Sequence, residues 1–315
     1  MIAHWDEVDA ERVELGHMCA TWTTLGDAAG CQEVDVNRIQ IEPRRWSAPL
    51  LRELNSEEIV FVLHGSGFVI QEGKSHKIGA GDCVVHRVGQ EHTFRAGDDG
   101  LDVLAFRERV GANVTHFPRT DVVGNYPGFI LEVARGLRPW DREAAAGEPS
   151  LPKPSSRPAN IVNARKIDAE YDGDAGRWAR MAIKAGAVRT GLNWGHLKDG
   201  HPGAPPHCHS TDEEIFVVLE GQGTLELWPS PAQIEDGSER EDHPVRAGHV
   251  ISRPPSTGLS HHFRAGEGGM TFLAYGTRKP NDVCYYPRSN KIYWRGLGLI
   301  ARLEHLSYDD GEPED

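Results

Sequence analysis

The residues best equipped for chemistry stand in the second half of the chain. His207-Cys208-His209 is followed after four residues by Glu214, and after six more by Gly221. Gly248, Pro254, Gly258 and His261 come next, with His262 and Phe263 directly behind. On an extended strand, positions i and i+2 face the same side, so His207 and His209 can aim at one centre. Glu214 stands just before the apolar run Ile215–Leu219 and can bring a carboxylate to that centre. Three imidazoles and one carboxylate suit one divalent transition metal, with Fe, Mn, Ni and Zn all compatible. An octahedral ion held this way keeps two positions open for water, dioxygen or a bidentate substrate, as a catalytic metal requires.

The elements that must position these residues occur twice. Glu57–Gly67 matches Glu213–Gly223 at an offset of 156, and Phe94-Arg95-Ala96-Gly97 returns as Phe263-Arg264-Ala265-Gly266 at an offset of 169. Arg109 returns as Arg278, which suggests a shared packing role. A longer loop around Pro229–Pro244 and two extra residues near Ser256 account for the change of offset. Register kept through such insertions marks a duplicated domain. Between Arg138 and Asn160 stand five prolines, read as a semi-extended linker with one short helix around Asp141–Ala146. The chain therefore divides into a first copy at 1–137, a Pro-rich linker at 138–160 and a second copy at 161–315. In the second copy Arg180–Ala185, Gly191–Leu197, Glu214–Leu219, Thr224–Trp228, His249–Arg253 and Thr271–Tyr275 are short runs of strand-forming residues bounded by turns. Such spacing predicts an all-β barrel or sandwich.

The repeat also arbitrates between neighbours. The spacing from Glu214 to Gly221 recurs from Glu58 to Gly65, which favours Glu214 over Glu213. His92-Thr93-Phe94 matches His261-His262-Phe263, which favours His261 over His262. Cys208 alternates away from the centre and reads as a packed thiol.

His207-x-His209-(four)-Glu214-(six)-Gly221 resembles the first motif of the cupin family, and Gly248-(five)-Pro254 with Gly258-(two)-His261 resembles the second. The second carries two extra residues between Pro254 and Gly258, and Ala265 stands where an asparagine often closes it. Two such domains in tandem look like a bicupin. The resemblance implies two double-stranded β-helix (jelly-roll) barrels, with His207, His209, Glu214 and His261 at the metal-ligand positions. The first copy departs from the pattern. Leu51 and Glu53 replace the two histidines, while Glu58 and His92 keep their places. Glu53, Glu58 and His92 are thus a vestigial second site, in a barrel kept for packing or for lining its partner's pocket. Arg180, Trp194, Phe216 and Tyr275 lie on or beside candidate strands of the second copy and form the expected substrate pocket.

Composition narrows the function classes. A net charge of −13, with both halves acidic, argues against nucleic-acid partners. No apolar run approaches the roughly 20 residues of a spanning helix, so no membrane association is expected. Five scattered cysteines without a CxxC, and no visible secretory leader, lead to the expectation of a cytoplasmic protein with reduced thiols. Self-association into a homo-oligomer stays open. The first functional expectation is a mononuclear metal-dependent oxidoreductase of dioxygenase type acting on a small organic substrate. The alternatives are a non-redox metalloenzyme (an isomerase, lyase or decarboxylase on a sugar or keto acid) and a non-catalytic small-molecule-binding bicupin.

Overall fold

The two apolar pentapeptides that head the repeat explain the architecture. A strand apolar on alternate positions covers one core; a strand apolar at every position must cover two. Along Glu58–Gln71, Ile59, Phe61 and Leu63 face one cluster while Val60 and Val62 face another. Along Glu214–Trp228, Ile215 and Val217 join that same first cluster, with Leu219 packed at its edge, while Phe216 and Val218 face a third. The shared cluster joins both copies, drawing Leu104 and Phe106 from one and Leu273 and Tyr275 from the other. The other two clusters fill the interior of the first barrel and of the second.

The computed structural model describes residues 1–126, 129–131, 138–306 and 309–311. The end of the acidic tail, residues 312–315, and the close of the first copy, residues 132–137, lie outside them. Each copy is built on a long antiparallel pair, Glu58–Gln71 with Glu91–Glu108 and Glu214–Trp228 with Ser260–Thr277. Each pair carries two register shifts, Val62/His64 and Gly65/Gly67 in one, Val218/Glu220 and Gly221/Gly223 in the other. Bulges there bend one strand enough to serve both walls of a barrel. Gly65 and Gly221 sit at these bends with φ of +78° and +76°. A Cβ at Gly221 would lie 2.1 Å from the Gly269 carbonyl oxygen, so the glycine of the motif is demanded by the bend itself.

Three local readings meet corrections. Arg180–Ala185, expected as a strand, holds the short helix Met181–Lys184, and the strand precedes it at Gly176–Ala179. Glu214–Leu219 and Thr224–Trp228, expected separately, are one strand continuous through the bulge. Thr271–Tyr275 is the last third of Ser260–Thr277. The linker carries the helix Pro139–Ala145.

The copies also exchange strands. Ile2–His4 pairs with His249–Arg253 of the second barrel, and Ile161–Asn163 pairs with Asp82–His86 of the first. Two buried carboxylates complete the joint. Glu57 accepts the backbone N–H groups of Val188, Arg189 and Thr190 at 3.0 to 3.3 Å. Glu213, its repeat, accepts those of Gln32 and Val34 at 3.0 Å, that of Glu33, and the hydroxyl of Ser252 at 3.0 Å. No helix among the described residues is long and apolar enough to cross a membrane.

Candidate metal centre

The centre is assembled where three elements of the second barrel meet. His207 is bridged backbone-to-backbone to His261, with N–H to O=C distances of 3.2 and 2.9 Å in the two directions. Cys208–His209 then pairs with Val283–Tyr286, and Glu214 opens the bent strand opposite Arg253 and Gly276. From these places the side chains converge. The Nε2 atoms of His207, His209 and His261 lie 4.0, 3.2 and 3.1 Å from Oε2 of Glu214.

Each ring of the HxH pair is fixed from behind. Nδ1 of His207 donates to the carbonyl of Pro205 at 2.8 Å, and Nδ1 of His209 donates to Asp282 at 2.7 Å. With Nδ1 donating backward, Nε2 is the atom each ring turns to the centre, and an ion bound there takes the place of any proton on it. Asp282 is held in turn by the N–H groups of Thr211 and Asp212 at 3.1 and 3.2 Å and by Arg295 at 3.3 Å. A carboxylate behind a ligand histidine orients it and raises its basicity. Sγ of Cys284 lies 3.3 Å from the same Nδ1.

The electrostatics suit a cation. Burial first, then the His207 ring, pushes His261 down to about 3, so it is neutral near pH 7. Burial works to raise the Glu214 carboxyl, but His209 and His261 hold it well below its ordinary range. Burial works to lower His209, and Glu214 with Asp282 raises it above the usual imidazole range. Oε2 of Glu214 and Nε2 of His261 are both buried without a hydrogen-bond partner, although they stand 3.1 Å apart. A buried carboxylate oxygen and a buried ring nitrogen left without an aligned hydrogen bond are costly, and a cation between them would satisfy both. These residues therefore fit a divalent ion, with His207, His209, Glu214 and His261 as its holders.

The neighbours that competed in sequence have other work. Glu213 clamps the first copy, as described above. His262 donates through Nδ1 to the Ala204 carbonyl at 2.7 Å.

A cavity of about 360 Å³ opens from the centre. His207, Glu214 and His261 form its base, with Trp178, Leu197, Phe216, Phe263, Phe272 and Ala274 among its walls and Tyr171, Arg177, His196 and His262 among its polar lining. Of the four residues expected to line a pocket, Phe216 does so, with its ring 5.2 Å from that of His261. Arg180 does not: it caps the unexpected helix at the surface, 3.4 Å from Glu170. Trp194 and Tyr275 do not either, because strand alternation turns both toward the cluster between the barrels. Tyr275 is 1% exposed and 5.1 Å from Phe106 of the first copy. The walls that the sequence reading missed follow from parity with His261: Phe263 is i+2, and beyond the bulge Phe272 and Ala274 return to the interior.

The first barrel keeps the positions and changes the donors. Leu51 faces His92 as His207 faces His261, and Glu53 faces Thr115 as His209 faces Cys284. Glu58 and His92 satisfy each other at 2.7 Å, and Glu53 accepts the Thr115 hydroxyl at 3.0 Å. His86, a residue with no assigned task in sequence, stacks on His92 at 3.7 Å with ring planes 6° apart. Lone pairs of stacked rings run parallel and cannot meet at one ion. Among the described residues, the donors that all lie within 4.8 Å of one another are His207, His209 and Glu214, and His209, Asp282 and Cys284; His261 joins the first set through Glu214, at 3.1 Å, without lying that close to every member, and Glu53, Glu58 and His92 form no such set.

Comparison with known proteins agrees with the barrels. The cupin domain family matches residues 37–106, within the first copy. An oxalate decarboxylase of Bacillus subtilis, in a study of its Mn(II) centres, superposes with a TM-score of 0.59 at 15% identity, over 90% of this chain and 78% of its own. The chain folds as a bicupin. Two further structures share this bicupin architecture. The oxalate decarboxylase of Lactobacillus farciminis in its formate complex gives a TM-score of 0.60 at 14% identity over 88% and 86% of the chains. Vicilin from Corylus avellana (hazelnut) gives 0.59 at 17% over 90% and 87%. No curated protein matches the bicupin's sequence. Nothing in these comparisons supports the expectation of a dioxygenase.

Proposed function

We propose that the second barrel holds one divalent metal ion through His207, His209, Glu214 and His261, and that the protein is a non-redox metalloenzyme that decarboxylates a small keto acid. The observation that carries the metal is the convergence of three Nε2 atoms on a Glu214 oxygen, with two of those lone-pair atoms buried and unpartnered. When bound, the ion supplies Lewis acidity toward the oxygens of the acid. The oxalate decarboxylases of the same fold, one of them studied for its Mn(II) centres, support Mn(II) as the first ion to test and carboxylate cleavage as the first reaction.

The protein's own residues supply the rest. Pro205 and Asp282 fix the two ligand rings before substrate arrives, so no reorganisation is left for the reaction. The walls formed by Phe216, Phe263, Phe272, Trp178 and Leu197 strip water from an entering carboxylate, which weakens the carboxylate form relative to released CO₂. For a keto acid with its carbonyl β to the carboxylate, the C–C bond breaks and its electron pair stays on the α-carbon. A proton then replaces CO₂ there. That proton comes from water at the mouth of the cavity. Apolar walls speak against a sugar.

The test is turnover of β-keto acids by Mn(II)-loaded protein under nitrogen, read as CO₂ release. Full activity without oxygen supports the proposal. Turnover that stops under nitrogen and consumes one O₂ per substrate in air would replace it with the dioxygenase reading.

A further inference from the structure

The walls of the cavity say more about the acid than its head group does. A train of aromatic rings leads outward from the centre. Phe216 stands 5.2 Å from the His261 ring, Phe263 stands 4.8 Å from Phe216, Phe272 stands 5.7 Å from Phe263, and Trp178 stands 6.0 Å from Phe272. The last contact depends on a bare backbone, because a Cβ at Gly195 would lie 2.9 Å from both the Trp178 and Phe272 rings. The volume of about 360 Å³ falls within the roughly 300–1,000 Å³ of sites that take small organic molecules. That is far more than a two-carbon dianion fills, and it suits a substituent the size of a ring.

Charge points the same way. Arg177 is the one arginine among the lining residues, and its guanidinium donates to the carbonyls of Ala164, at 2.6 Å, and Ile167. A second carboxylate in the cavity would lie against aromatic walls with no cation assigned to it, and a desolvated unpaired charge is strongly disfavoured.

We infer that the substrate is a single-headed acid: one chelating keto-acid end directed at the metal, and an apolar, ring-sized body against Phe216, Phe263, Phe272 and Trp178. The inference rests on the metal-dependent reading above and narrows its substrate class.

Phenylpyruvate, pyruvate and oxalate chelate through a carboxylate and an adjacent oxygen but carry no carbonyl β to the carboxylate, so they serve as analogues that bind without that reaction. Their binding to Mn(II)-loaded full-length protein, measured by titration calorimetry under nitrogen, tests the inference. Burial of the ring predicts that phenylpyruvate binds ten- to a hundredfold more tightly than pyruvate, and more tightly than oxalate. Ala274→Leu, which fills the cavity, should bring phenylpyruvate to within threefold of pyruvate while metal content holds. Pyruvate or oxalate binding wild-type protein as tightly as phenylpyruvate overturns the inference, whether or not Ala274→Leu folds. The two readings fail separately. If all three acids bind equally to wild type and none binds His207→Ala, the aromatic-body inference falls and the metal reading stands. If His207→Ala binds phenylpyruvate as tightly as wild type, it is the metal reading that falls.

Discussion

Glu213→Gln tests the joint between the barrels, and its size can be worked from the contacts. The native carboxylate is fully buried and accepts three backbone N–H groups, from Gln32, Glu33 and Val34, and the Ser252 hydroxyl. A hydrogen bond to a charged acceptor is worth about 1.5–3 kcal/mol, and a buried donor left without one costs about 1–3 kcal/mol. Glutamine keeps one accepting oxygen and turns an NH₂ toward the remaining donors, so roughly two of the four bonds are lost. The expected cost is about 3 kcal/mol. With an unfolding entropy of about 2.1 cal/mol/K per residue over 315 residues, that cost lowers the melting temperature by about 5 °C. Scanning calorimetry of wild type, Glu213→Gln and the surface control Glu220→Gln reads the difference directly. Glu57→Gln should repeat the loss, because it holds the mirror-image turn. A Glu213→Gln protein that melts within 1 °C of wild type would refute the clamp.

Three further outcomes follow. Asp282→Asn removes the charge behind His209 and should weaken metal affinity about 10- to 100-fold, measured by competition with a chelator of known affinity; unchanged affinity would show that Asp282 only packs. In the first barrel, Glu58 lowers its own pKa, against burial, by pairing with His92, which is raised by the same pair. The glutamate's contribution is present above its unfolded value of 4.5 and is lost as pH falls through the lowered folded value. The histidine's is present below its unfolded value of 6.5 and is lost as pH rises through the raised one. Glu58→Gln should therefore destabilise by about 3 kcal/mol between these two values and by less at pH 9 in chemical denaturation, whereas a pH-independent loss would contradict the pairing. Finally, Leu51→His with Glu53→His rebuilds the HxH pair on the same backbone register and should raise bound metal toward two ions per chain by elemental analysis. A double variant that folds and still holds one ion would show that the first barrel lacks more than two ligands, with Asn113 in the place of Asp282 the next to change.

Much of this architecture is legible in the amino-acid sequence. The duplication, both motifs and the choice of Glu214 over Glu213 follow from spacing, because a bend that demands glycine at 221 also fixes where the carboxylate stands. Phe216, expected in the pocket because it lies on a candidate strand, lines the cavity. Tyr275 and Trp194, expected there on the same ground, face the other way, since a sequence shows that a strand has two apolar faces without showing which face meets the other barrel. Arg180 failed for a different reason: Met181–Lys184 is a single helical turn, too short to leave a periodic signal. Asp282 and His86 gave no signal, because one acts only through His209 and the other takes the strand position that Arg253 holds in the second copy. Nor could the clamps at Glu57 and Glu213 be read, as their partners lie in the opposite copy more than 130 residues away.

The central claim is one metal ion, held in the second barrel by His207, His209, Glu214 and His261. Elemental analysis of untagged protein, beside His207→Ala, His261→Ala and Glu58→Gln, tests it most directly. One equivalent is expected in wild type and in Glu58→Gln, and a near-complete loss in both histidine variants. A full equivalent retained by folded His207→Ala and His261→Ala, or lost from Glu58→Gln alone, would move the ion to the first barrel and contradict it.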